Sequence, residues 1–164
     1  MKFGKRFRIM RKRILGAMIV DSVPILNQLR RTNNNWTYGL AELHRFPAES
    51  WGAQLADFLQ TRNFGLLPKY ETHDALHLLL GYDTTVEGEI RLQAFMLGNR
   101  SASFAGRILF VLGLIFLPEL WRQFRQDFIR GCESQSVREW NIPDLLLTDL
   151  SIVKRNLANG GKAR

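Results

Sequence analysis

The segment from Gly81 to Thr84 leaves the chain almost no length in which to turn. Before it, Leu78-Leu79-Leu80 closes a helical pattern at a glycine suited to a helix C-terminus. After it, Thr84-Thr85-Val86-Glu87 has capping-box spacing, Thr84 with Glu87 three residues on, and predicts a second helix through about Leu97. Two helices joined so tightly are expected to be antiparallel neighbours.

The first helix carries His73-Asp74-Ala75-Leu76-His77, in a sequence with only three histidines. At ~100° per residue, His77 lies about 40° and Asp74 about 100° round from His73, so the three can converge. Folding back brings Glu89 within reach, with Gln93 and Met96 on its face, while Glu87 points away as a solvated, capping acid. Imidazole nitrogen and carboxylate oxygen suit zinc, iron(II), manganese and similar divalent ions. His73, Asp74, His77 and Glu89 are therefore the candidate metal ligands. The competing reading makes the histidines half-buried core residues and Asp74 a solvated helix residue; Glu89 tips the balance toward a metal. Four ligands around zinc would close the site, whereas two histidines and one carboxylate leave positions open for chemistry.

Elsewhere the apolar residues recur at helical spacing and no stretch alternates with period two, so the fold class is all-α. With 164 residues and 19.0 kDa the chain fits a single domain. Ser50 is expected to cap a helix from Trp51 to about Gln60, with Trp51, Leu55, Phe58 and Leu59 facing inward. Pro68 suits the first turn of the motif helix. Ile108 to Leu117 is an unbroken apolar run ended by Pro118, too short for a bilayer span of about 20 residues. It reads as a core helix or as a lipid-facing one, with Trp121, Arg122 and Arg125 as interface anchors. Leu146, Leu150, Val153 and Leu157 mark an amphipathic C-terminal segment. The organisation expected is a basic amphipathic segment over 1–30, a core over 43–158 and a disordered tail over 159–164. The lone Cys132 excludes an intrachain disulfide, so the sequons at Asn35 and Asn99 carry little weight.

Charge is concentrated at one end. Of the 23 basic residues, seven lie between Lys2 and Arg13, leaving 16 against 15 acids. A body so close to neutral argues against a nucleic-acid partner. Phe3, Phe7, Met10, Ile14 and Met18 recur at i, i+4, i+7, i+11 and i+15 among those cations. That pattern suits a helix lying on an anionic membrane surface; a first helix docked on the core and a targeting segment are the alternatives.

His73-Asp74-x-x-His77, eleven residues and Glu89 together resemble the HD-x-x-H-x11-E signature of the coenzyme Q biosynthesis protein four family. Phe46-Pro47-x-x-Ser50-x-Gly52, Phe58 and Pro68 are similar to the family's stretch before the motif. Gly81 to Glu89 and Gln93-Ala94-Phe95-x-Leu97-Gly98 are similar to the family's stretch after it. The resemblance runs from about Leu43 to Asn99; near the C-terminus it is loose, through Gly131, Trp140, Val153, Arg155 and Leu157, with Asn141 where an acid is common.

The resemblance implies an all-helical protein, often a homodimer, with a hydrophobic cavity for a polyprenyl tail. It implies a divalent metal, usually Zn2+ (with Fe2+, Mn2+ and Mg2+ as alternatives), held by His73, Asp74, His77 and Glu89. The implied partners are a polyprenyl lipid or prenylated quinone precursor, a membrane surface and other quinone-biosynthesis proteins. Its implied place is peripheral to a membrane, on the cytoplasmic face in a bacterium or the matrix side of the mitochondrial inner membrane in a eukaryote. The implied function is ubiquinone biosynthesis, either as a metal-dependent carbon–carbon lyase removing the C1 carboxyl of a polyprenyl-hydroxybenzoate with hydroxylation there, or as a lipid-binding scaffold with a structural metal. A third reading, a histidine–aspartate phosphohydrolase using His44, His73, Asp74 and Asp127, leaves His77 and Glu89 without a role.

Overall fold

Short polar side chains start the helices. Ser50 Oγ accepts from the Ala53 N–H at 3.2 Å, as expected, and Thr85, Ser103 and Asp149 cap later helices in the same way. The computed structural model describes residues 9–17, 36–66 and 70–160. In chain order these form α1 (9–17), α2 (Leu40–Leu43), α3 (Trp51–Gln60), α4 (Glu71–Leu80), α5 (Val86–Gly98) and α6 (Phe104–Phe116). A 3-10 turn at Pro118–Leu120 leads into α7 (Trp121–Glu133), followed by α8 (Ile142–Leu145) and α9 (Leu150–Asn159). The fold is all-α, with no strand among the described residues. A lone backbone bridge between Ser50 and Asp149 ties the start of α3 to that of α9.

Two apolar clusters divide the interior, and α5 borders both. Leu92 and Phe95 of α5 face the larger cluster, with Trp51, Leu55 and Leu59 of α3, Leu76 and Leu79 of α4, and Leu150, Val153 and Leu157 of α9. Ile90 and Ala94 face the smaller one, with Leu15 of α1, Leu117 at the end of α6 and Phe124 of α7. A helix apolar around its circumference can be accommodated only by burial on both faces. The expected inner face of α3 is confirmed except that Phe58 is only half-buried, with Arg62 stacked 3.9 Å over its ring.

Several expectations are corrected. Thr85, not Thr84, caps α5, its Oγ1 accepting from the Gly88 N–H at 3.2 Å. Glu87 is no capping acid; it pairs with Lys12 of α1. The motif helices are not the close-packed neighbours expected: α4 packs on α3 and α9 whereas α5 packs on α7 and α6, and His73, His77 and Glu89 meet across the turn. The α6 run is not a core helix throughout: Phe104, Ile108, Val111 and Ile115, at i, i+4, i+7 and i+11, are exposed by 78, 48, 52 and 65%. In α1, Leu15 is buried while Met10 and Ile14 face outward, so this helix docks on the core and still shows an apolar face. Asn159 belongs to α9 and not to a tail. Pro68, the remainder of segment 1–30, the Arg31–Asn35 turn and residues 161–164 lie outside the described residues.

Candidate metal centre

The end of α4 and the beginning of α5 build the site. Gly81 takes the left-handed conformation (φ 74°), which the sequence anticipates, and its N–H donates to the His77 carbonyl at 2.9 Å. This stops α4 one turn after His77 and sends the chain back. Glu89 then falls in the first turn of α5, where the helix N-terminus favours a carboxylate.

Three of the four expected ligands converge. Nε2 of His73 lies 3.2 Å from Glu89 Oε2, and Nε2 of His77 lies 3.0 Å from Glu89 Oε1. Their donor atoms all lie within 4.8 Å of one another. Asp74 is placed differently: its Oδ1 is 3.7 Å from Nδ1 of His73, on the far side of that ring. The imidazoles meet edge to face at 4.6 Å. His77 is fully buried, whereas the His73 side chain is 24% exposed, so the cluster is reached from the His73 side.

The charges are strongly coupled. Burial opposes protonation of His73, but Asp74 and Glu89 outweigh it and raise the imidazole from 6.5 to about 9. Burial likewise opposes ionisation of Glu89, and contact with His73 and His77 overcomes it, holding the carboxyl at about 2. A positive charge is thus strongly favoured at this point, and a proton or a metal ion can supply it.

His77 tests whether a metal fits. Its Nδ1 lies 3.3 Å from the carbonyl oxygen of Tyr82, which can only accept, so Nδ1 carries the hydrogen. In the neutral ring Nε2 is then a bare lone pair, buried, without a hydrogen-bond donor and facing a carboxylate. Two lone-pair donors held this way call for a cation between them. Ligands about 2.0–2.1 Å from a tetrahedral zinc are about 3.3 Å apart, close to the 3.2 and 3.0 Å between Glu89 and the two imidazoles. The donor set fits a divalent ion.

The phosphohydrolase set does not assemble. His44 is exposed and sits 3.6 Å from Asp57, while Asp127 is committed to Arg91 and Tyr82. The sequence reading missed α7 and the contacts its Asp127 and Arg130 make to Tyr82 and Leu80; the signal available was the recurrence of Trp121, Phe124 and Phe128 at i, i+3 and i+7.

No protein-family profile and no curated protein matches the chain. Among solved structures, the fold is similar to that of a Nostoc punctiforme protein provisionally named a ubiquinone biosynthesis protein. The TM-score is 0.60 at 20% identity, over 93% of this chain and 81% of that one. At that identity the likeness establishes a shared helical fold.

Proposed function

We propose that this chain holds a divalent cation, Zn2+ foremost, on His73, His77 and Glu89, with Asp74 beside His73, and acts on a prenylated precursor in ubiquinone biosynthesis. The observation that carries the reading is the buried Nε2 of His77 facing Glu89. The HD-x-x-H-x11-E resemblance and the shared fold support the pathway. A bound divalent ion would supply Lewis acidity toward the carboxylate and phenolic oxygens of a hydroxybenzoate. The protein's share is to present three donors from two helices, keep the His77 side dry and leave access beside His73. Two histidines with one carboxylate leave coordination positions open, which favours a lyase over a closed structural site.

Native mass spectrometry with elemental analysis of gently purified protein tests this. One divalent ion per chain is expected, with an isoprenoid co-purifying. A protein that carries no metal and takes up neither Zn2+, Fe2+ nor Mn2+ would overturn the reading.

The lipid would be met at a membrane surface through α6. Its exposed stripe from Phe104 to Ile115 continues to Trp121, 55% exposed, and is accompanied by exposed Arg107, Arg122 and Arg125. Apolar residues accompanied by arginines suit an anionic interface. Among the described residues no single helix is long and apolar enough to cross a membrane, and α6 meets the following helical segment at a 102° bend. The double substitution Ile108→Ser/Ile115→Ser should lower flotation with anionic liposomes about tenfold or more, since each side chain contributes roughly 1.5 kcal/mol or more on burial. Undiminished flotation would remove α6 from the contact.

A further inference from the structure

Behind the donor set lies a second polar cluster that contributes no ligand. Tyr82, 4% exposed, follows the Gly81 turn, and its hydroxyl donates to Asp127 Oδ1 on α7 at 2.8 Å. Asp127, 3% exposed, also accepts from Arg91 of α5, Nε to Oδ2 at 2.7 Å and Nη2 to Oδ1 at 3.2 Å. Arg130 of α7 donates to the Leu80 carbonyl at 2.7 Å, with its guanidinium carbon 4.9 Å from the centre of the Tyr82 ring. Two helices thus grip Leu80 and Tyr82, on either side of the Gly81 turn.

Burying the Asp127 carboxylate carries a desolvation cost even with the part-exposed Arg91 beside it, so its placement needs a reason beyond joining α5 to α7. The geometry supplies one. The residue gripped by its phenol is the residue whose carbonyl oxygen receives the His77 Nδ1–H at 3.3 Å. The same backbone unit donates its N–H to the His77 carbonyl at 3.1 Å, so Tyr82 holds His77 at main chain and ring together. Any slip of this turn would free the imidazole to rotate or change tautomer. Arg91 also lies two residues after Glu89 on α5, so one helix carries a donor and part of the clamp.

We propose that Tyr82, anchored by Asp127 and Arg91, is a positioning residue that fixes His77 as the Nδ1–H tautomer and aims its Nε2 at the cation. This rests on the cation-binding reading above. Histidine ligands characteristically donate their other N–H to a carbonyl or carboxylate, and loss of such a partner costs about 10–100-fold in metal affinity. Here the partner is a main-chain carbonyl that substitution cannot delete, so the side chain holding it becomes the sensitive point.

The test uses the full chain, Zn2+ alone as titrant in calorimetry, and imidazole nitrogen NMR of His77. Tyr82→Phe removes one oxygen atom and should keep the fold while weakening Zn2+ binding about tenfold. Asp127→Asn should weaken it as much or more, and both variants should lose the single Nδ1–H tautomer. A merely structural role would lower thermal stability and leave both readouts unmoved. Folded variants that bind Zn2+ within about twofold of the parent, with an unchanged His77 signal, would overturn the proposal. Should Asp127→Asn not fold, Tyr82→Phe decides. If the parent takes up neither Zn2+, Fe2+ nor Mn2+, the cation reading fails, and in that case, as where Zn2+ alone is refused, the His77 signal decides by itself: loss of the single tautomer in Tyr82→Phe upholds the positioning role, and its persistence overturns it.

Discussion

Glu89→Gln is expected to lower divalent-cation affinity by more than about 100-fold, beyond the ~10–100-fold typical of outer-shell partners. Its carboxylate is the group that faces the Nε2 atoms of both histidines, at 3.2 and 3.0 Å. Glutamine keeps the volume and can donate an amide N–H to one imidazole, so the helical signal by circular dichroism should persist. The substitution also separates the catalyst from the scaffold. A folded, metal-free variant with full pathway activity would reduce the ion to a staple between α4 and α5. Loss of activity with retained lipid binding would place the chemistry at the ion. Affinity within about tenfold of the parent would show that Glu89 is not a ligand.

The largest expected effect on stability is at a pair of glycines far from any ligand. At the crossing of α5 and α7, a Cβ on Gly98 would come 2.0 Å from the Phe128 carbonyl oxygen. Reciprocally, a Cβ on Gly131 would come 2.2 Å from the Phe95 carbonyl oxygen and 2.9 Å from the Asn99 nitrogen. These neighbours are main-chain atoms, so no rotamer change relieves the clash and the helices must move apart. Gly98→Ala or Gly131→Ala should each cost about 3 kcal/mol or more, at the upper end of overpacking penalties. For a chain of this size that is a fall of roughly 6–12 °C in thermal midpoint. The double variant should cost less than the sum, because one separation accommodates both methyl groups. A midpoint within about 2 °C of the parent in either single variant would show that the crossing is looser than described.

Much of the site was legible because its signals are local. The three ligand candidates of α4 lie within five residues, and the glycine that ends the helix comes at position 81. The capping residue was read one position early because Thr84 and Thr85 offer the same chemistry. What selects Thr85 is its main-chain N–H bond to the Asp83 carboxylate at 3.0 Å, a contact that spacing does not reveal. Helix α7 was missed for a different reason. Its apolar residues do recur at helical spacing, with Trp121, Phe124 and Phe128 at i, i+3 and i+7, but the buried face presents Phe124, Asp127 and Gly131, and spacing does not reveal that a carboxylate and a glycine pack inward. The exposure of α6 was also beyond reach, since an apolar run looks alike whether protein or lipid covers it.

The central placement of α5 has a consequence for how the chain comes apart. Ile90 and Ala94 complete one apolar cluster while Leu92 and Phe95 complete the other, and all four belong to a single rigid helix. Withdrawing that helix from either cluster strips the other of its wall as well. Neither half therefore survives as a separate subdomain, and partial unfolding of one side is penalised by the loss of both. Two cores sharing one wall should unfold in one cooperative transition.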